Sequence, residues 1–217
     1  MRCLAALLAA LVLAMPGTLG AGGRAGEFDY YVLALSWNAA WCASTGDARG
    51  NAKCAPGGNT GFVVHGLWPQ HEYGWPQDCT TSQRDPSRAE TAAMADIMGS
   101  SGLAWYEWKK HGRCSGLAPA AYFALIRESW QMIERPPILR RINKPIRLAP
   151  QVIEQAFIEA NPELSPGLKP SGVTVTCKDR MISEVRICLT KSLVPRACSG
   201  STARDCSISD PLFEPMR

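Results

Sequence analysis

Three histidines, at positions 65, 71 and 111, are the only imidazoles among 217 residues. His111 follows Trp105-Tyr106-Glu107-Trp108-Lys109-Lys110. At about 100° per residue on a helix, Glu107, Lys110 and His111 stand at i, i+3 and i+4, so one face presents an acid, a cation and an imidazole. Trp105, Trp108 and Lys109 point elsewhere. The same spacing also describes an exposed helix laced by charge pairs, each worth roughly a few tenths of a kcal/mol. His65 lies at the exit of an apolar run, between Val64 and Gly66. There it can line a cleft, or serve as an ordinary structural histidine. Two imidazoles brought together beside a lysine and a glutamate fit the cleavage of RNA by its own 2′-hydroxyl. One ring takes the 2′-OH proton, the other protonates the leaving 5′-oxygen, and a cation steadies the charge gathering on phosphorus. With an ordinary pKa of about 6.5, two histidines can hold opposite protonation states at one mildly acidic pH. That chemistry needs no metal and no cofactor.

The elements that must position these groups follow from hydrophobic pattern. Residues 28–37 are aromatic and aliphatic without Gly or Pro, which predicts a buried strand. Residues 42–60 are rich in Gly, Asn and Asp and read as a loop, and Phe62-Val63-Val64 as a second strand running into His65. The Pro and Gly residues from 66 to 76 predict an end to regular structure there. Helices are predicted over 88–98, 103–113, 118–134 and 150–160; in the third, Tyr122, Leu125, Ile126, Trp130 and Ile133 form a core stripe at helical spacing. Residues 173–177 and 181–190 read as a β-hairpin turning near Lys178-Asp179-Arg180. With no repeat and no linker, the expectation is one α+β domain with several helices packed on a central antiparallel sheet.

Composition narrows the setting. With 46% hydrophobic and 19% charged residues, the chain is neither a disordered tail nor a multi-pass membrane protein. One basic residue, Arg2, precedes an apolar run over 4–15, followed by the small residues Thr18, Gly20 and Ala21, which predicts a signal peptide over 1–21 and a mature domain over 22–217. The run is too short to span a bilayer, which takes roughly 20 apolar residues. Of nine cysteines, Cys3 falls in this leader, and the remaining eight form an even set suited to disulfides in an oxidising compartment. The expected location is therefore periplasmic or secreted, with no membrane association after processing. The net charge of +4 identifies no ligand, but residues 105–147 hold nine basic against three acidic groups. Such a local field suits a phosphate backbone, and also suits solvated helix faces.

Phe62-Val63-Val64-His65-Gly66-Leu67-Trp68-Pro69 and Tyr106-Glu107-Trp108-Lys109-Lys110-His111-Gly112-Arg113-Cys114 resemble the two active-site segments of the ribonuclease T2 family. The resemblance extends from the strand at 28–37 to the region of Cys188. It implies a disulfide-stapled α+β catalytic domain that cuts single-stranded RNA through a 2′,3′-cyclic phosphate. By the same resemblance His65 protonates the leaving oxygen, His111 activates the 2′-OH, Glu107 and Lys110 act on the phosphate, and Trp68 lies beside the base pocket. It also implies bridges Cys79–Cys114, Cys177–Cys206 and Cys188–Cys198, which leaves Cys42–Cys54 across the loop. DNA, lacking the 2′-OH, is excluded as a substrate.

Two positions depart from the family pattern. Tyr106 stands where a phosphate-contacting histidine is usual; a phenol can donate a hydrogen bond but carries no positive charge near neutral pH. Gln70 stands where some members carry an acidic, adenine-reading residue, and an amide that both donates and accepts predicts relaxed base preference. Tyr73 and Trp75 are further stacking candidates, and His71 receives no role. Two competing readings are a catalytically silent secreted RNA-binding protein on the same scaffold, and a metallohydrolase using the three histidines. The latter lacks any HxH or HExxH arrangement. The chain is expected to act as a monomer.

Overall fold

The computed structural model describes residues 23–57, 61–164 and 167–216; the expected signal peptide over 1–21 lies outside them. In chain order the elements are β1 (Tyr30–Trp37), α1 (Asn38–Trp41), β2 (Phe62–Gln70), α2 (Arg88–Ala93), α3 (Ala95–Met98), α4 (Ser101–Lys110), α5 (Pro119–Met132), α6 (Pro137–Arg140), β3 (Ile146–Arg147), α7 (Pro150–Ala160), β4 (Val173–Lys178), β5 (Met181–Leu189) and β6 (Leu212–Phe213). β1 is central, antiparallel to both β2 and β5, and β4 pairs antiparallel with β5. The sheet departs from the expected all-antiparallel form at one place, where β6 meets Met181 of β5 in parallel.

One face of this sheet carries the main core. Leu33, Leu35 and Trp37 of β1, Val64 and Leu67 of β2, and Val185 and Ile187 of β5 pack there against Trp108 of α4, Tyr122 and Ile126 of α5, and Phe157 of α7. Of the stripe read from the sequence, Tyr122, Ile126 and Ile133 are fully buried, and Leu125 and Trp130 flank the core. Tyr122 also donates a 2.8 Å hydrogen bond to the carbonyl of Leu67, fixing α5 to β2.

The opposite face is built differently. Opposite the core, β1 presents Ala34 and Ser36, beside Val32 and Tyr30. β5 and β2 flank β1 and so stand roughly 10 Å apart, two strand spacings. Because Ala34 and Ser36 are small, long side chains from those outer strands can meet above β1.

Several boundaries differ from the sequence reading. β2 does not end at His65; it continues through Pro69 to Gln70. Its register steps from Ala34↔Gly66 to Leu35↔Val64, so His65 is the extra residue of a β-bulge. In a regular strand residues 65 and 68 would face opposite ways. The bulge changes the alternation, leaving Val64 and Leu67 in the core while Trp68 turns to the other face. The helix expected over 88–98 breaks at Met94 into α2 and α3, after a capping box between Ser87 and Glu90, and the break lets Met94, Ile97 and Met98 all reach the core. The loop over 42–60 carries short helical turns at Cys42–Gly46 and Ala52–Cys54. The hairpin forms as expected, with Asp179 and Arg180 both at positive φ, 51° and 62°, as a tight two-residue hairpin turn requires.

Four disulfides join Cys42–Cys54, Cys79–Cys114, Cys177–Cys206 and Cys188–Cys198, the pairs implied by the family resemblance. Cys79–Cys114 ties the loop after β2 to the turn after α4, beside a hydrogen bond from the Asp78 amide to the Lys110 carbonyl at 2.8 Å. A bridge closing 35 residues stabilises by about 3–4 kcal/mol in the chain-entropy account. The double variant Cys79→Ser/Cys114→Ser is expected to melt at a lower temperature and to lose proportionally more activity than far-ultraviolet circular dichroism. Equal losses would show that the bridge serves folding alone.

Candidate active site

α4 is started by Ser100, whose hydroxyl accepts from the Leu103 amide at 3.1 Å, and it ends at His111, whose amide still bonds to the Glu107 carbonyl at 2.9 Å. The predicted helix to 113 thus stops earlier, and a turn at Gly112–Ser115 follows. The helical period divides the residues as the sequence suggests. Ala104 and Trp108 enter the core, while Glu107, Lys110 and His111 turn toward the non-core face of the sheet.

There α4 meets the bulged strand. Trp68 Nε1 donates to Glu107 Oε2 at 2.7 Å, joining sheet to helix. Gly66 is required between them, because a Cβ at that position would collide with both Trp68 Nε1 and Glu107 Oε2. The indole of Trp68 is in contact with both imidazoles: His65 at 5.2 Å and 75°, and His111 at 5.2 Å and 32° between ring planes. A cleft of about 340 Å³ is lined by His65, Trp68, Gln70, Tyr106, Glu107, Lys110 and His111, all seven residues expected from the sequence. Trp75, Arg186, Ser201 and Thr202 complete its wall. Tyr73, 89% exposed, is not part of the lining, and neither is His71, whose Nδ1 lies 3.7 Å from Asp29 Oδ2.

The two imidazoles occupy opposite electrostatic environments. Burial pulls the pKa of His65 down, but a 2.8 Å hydrogen bond to Glu184, the charge of that carboxylate and the charge of Glu107 outweigh it, so His65 lies above the ordinary 6.5. His111 is pushed down to about 3, by burial first and then by the positive charges of Lys110 and His65. Among the described residues its buried Nδ1 has no hydrogen-bond partner. Burial raises the carboxyl of Glu107 above 4.5, against the opposing influence of His65, Trp68 and Lys110. Gln70 is buried and spends one amide hydrogen on the Pro69 carbonyl at 2.9 Å. Tyr106 stays half-exposed at the rim, with Lys110 Nζ 5.7 Å from its ring centre. Among the described residues no group of three or more His, Cys, Asp or Glu side chains is arranged to hold a metal ion.

Glu184 and Arg186 were not found by sequence reasoning. Both lie on β5 at alternate positions opposite Ser36 and Ala34, and the available signal was two charged residues alternating with Val185 and Ile187 in a mostly apolar strand.

Comparison with known proteins accords with this geometry. The model of the Ribonuclease T2 family matches residues 28–198. A ribonuclease of Aeromonas hydrophila is 34% identical over 86% of this chain and 80% of its own length. Among solved structures, an RNase-related protein from Calystegia sepium superimposes with a TM-score of 0.62 at 22% identity, covering 86% of this chain and 98% of that one. RNase NT, in complex with 5′-AMP, gives 0.59 at 21% identity over 88% and 100%. With the family match spanning most of the chain and both segments that line the cleft, this protein belongs to the ribonuclease T2 family and is an RNA-cleaving endoribonuclease.

Proposed function

We propose that the enzyme cleaves single-stranded RNA without a metal ion, by acid/base transfer between two histidines and through a 2′,3′-cyclic phosphate. The observation that carries this reading is the opposite displacement of two imidazoles set against one indole, His111 down to about 3 and His65 above 6.5. Between those values His111 is neutral and accepts the 2′-OH proton, while His65 is protonated and gives its Nε2 proton to the departing 5′-oxygen. Lys110 and Glu107 act on the phosphate as it gains negative charge. Trp68, Trp75 and Gln70 line the base pocket, and Gln70 supports relaxed base preference. That RNase NT takes 5′-AMP fits a nucleotide in this cleft. Further clefts of about 450 and 630 Å³ share His65 as a wall and give the leaving nucleoside room on the acid's side. The cleft is complete within one chain, in keeping with a monomer, and four disulfides with the apolar leader support a periplasmic or secreted location.

Cleavage of single-stranded RNA in EDTA, with product ends identified, tests the mechanism. The native protein is expected to yield 2′,3′-cyclic phosphate and to leave DNA intact. His65→Ala and His111→Ala should each lose about 100- to 10,000-fold in kcat. Loss of native activity on chelation would sink the metal-free reading. The rate profile against pH should be broad, its acid limb well below 6.5 where His111 takes a proton, and its alkaline limb above 6.5 where His65 loses one. Limbs that both fall near 6.5 would contradict the assignment. Tyr106→His should lower KM and reshape the profile by restoring a titrating cation at the rim. An unchanged KM and profile would show that position 106 does not touch the phosphate.

A further inference from the structure

β5 delivers two charged side chains to the sheet face that bears His65. Glu184 is opposite Ser36, and Arg186 is opposite Ala34. Glu184 is buried, and a buried carboxylate is costly unless its oxygens are taken up. Both are: Oε1 lies 2.8 Å from His65 Nδ1, and Oε2 accepts from Arg186 Nε at 2.7 Å. Arg186 in turn sets its guanidinium 5.3 Å from the centre of the Trp68 ring. The chain of contacts runs Trp68, Arg186, Glu184, His65 and back to Trp68, closing a ring of side chains over the small residues of β1.

We propose that Glu184 is the positioning residue of the acid His65, fixing its ring so that Nε2 faces the cleft and stabilising the imidazolium, with Arg186 holding the carboxylate in place. The proposal rests on the reading of His65 as the acid. An ionised carboxylate only accepts hydrogen bonds, so Nδ1 must carry a hydrogen in both protonation states of the ring. The proton free to leave is then the one on Nε2. When Nε2 gives it to the leaving oxygen, His65 becomes the neutral Nδ1–H tautomer and Glu184 stays ionised. Glu107 does not compete for this role: its Oε1 stands 3.5 Å from His65 Nε2, and its other oxygen is bound to Trp68. The charged groups around His65 are Glu184 and Arg186 from β5, Glu107 and Lys110 from α4, and His111 at its end. Lys53, Asp96 and Lys178 line the clefts beyond. His65 and Arg186 together hold the Glu184 carboxyl below its ordinary range despite burial, as an orienting anion requires.

The test uses the native protein, Glu184→Gln and Glu184→Asp, all oxidised and checked for matching thermal unfolding. Gln keeps the shape and removes the charge; Asp keeps the charge on a shorter arm. Two readouts are taken: titration of the His65 imidazole nitrogens by NMR without RNA, and kcat and KM against pH. In Glu184→Gln the His65 pKa is expected to fall, the alkaline limb of kcat/KM to move to lower pH by the same amount, and kcat at neutral pH to drop about 10- to 100-fold, the size of loss known for removing the partner of a metal-ligating histidine. KM should stay within about twofold, and Glu184→Asp should recover part of the pKa. A His65 titration in Glu184→Gln that matches the native one overturns the proposal, and so does an alkaline limb that fails to move. Failure of the underlying reading shows separately, as undiminished cleavage by His65→Ala.

Discussion

The hydrogen bond from Trp68 to Glu107 is the contact on which the site depends. It is made by a residue of the sheet and a residue of a helix, and it sets the distance between the two elements that carry the imidazoles. Three conditions have to hold for it to form. Gly66 must lack a side chain, the bulge at His65 must turn Trp68 off the core face, and α4 must end at His111 so that the ring closes over the indole. Each condition is local and inexpensive alone. Together they leave one indole as the common wall of two imidazoles, which the proposed mechanism brings to the same phosphodiester.

Burial acts alike on those two imidazoles, and the partners of each ring then drive them apart. Both rings lose hydration, which disfavours the imidazolium. At His65 two carboxylates answer that loss, and the pKa ends above its ordinary value. At His111 the neighbours are a lysine and the other histidine, the buried Nδ1 has no partner, and the neutral form prevails. Two chemically identical side chains thus come to favour opposite protonation states, which the proposed mechanism uses as acid and base.

Much of this was legible in the chain. The i, i+3, i+4 spacing of Glu107, Lys110 and His111 survives into the structure because a helix fixes angular positions whatever it packs against. The stripe on α5 survives for the same reason. His65 was less legible: a period-two pattern assumes unbroken register, and a bulge is a property of two paired strands. The Pro and Gly residues after position 65 suggested an end to the strand, yet Pro69 is accommodated within β2. Glu184 and Arg186 lie about 120 residues from His65 in sequence, and only the pairing of β5 with β1 brings them to it. Their charge in a mostly apolar strand marked them as unusual, but nothing local named their partner.

The division of labour around the cleft has an evolutionary consequence. The proposed reacting groups stand on β2 and on α4 and its end, braced by β5, by the core and by Cys79–Cys114. In the proposed reading a base meets Trp68 and Gln70 of β2, and also Trp75, which an exposed loop supplies. Loops of this kind tolerate change that a packed strand does not. Preference for one nucleotide over another can therefore drift, or be selected in the laboratory, by altering residues that bear neither the proton transfers nor the weight of the fold.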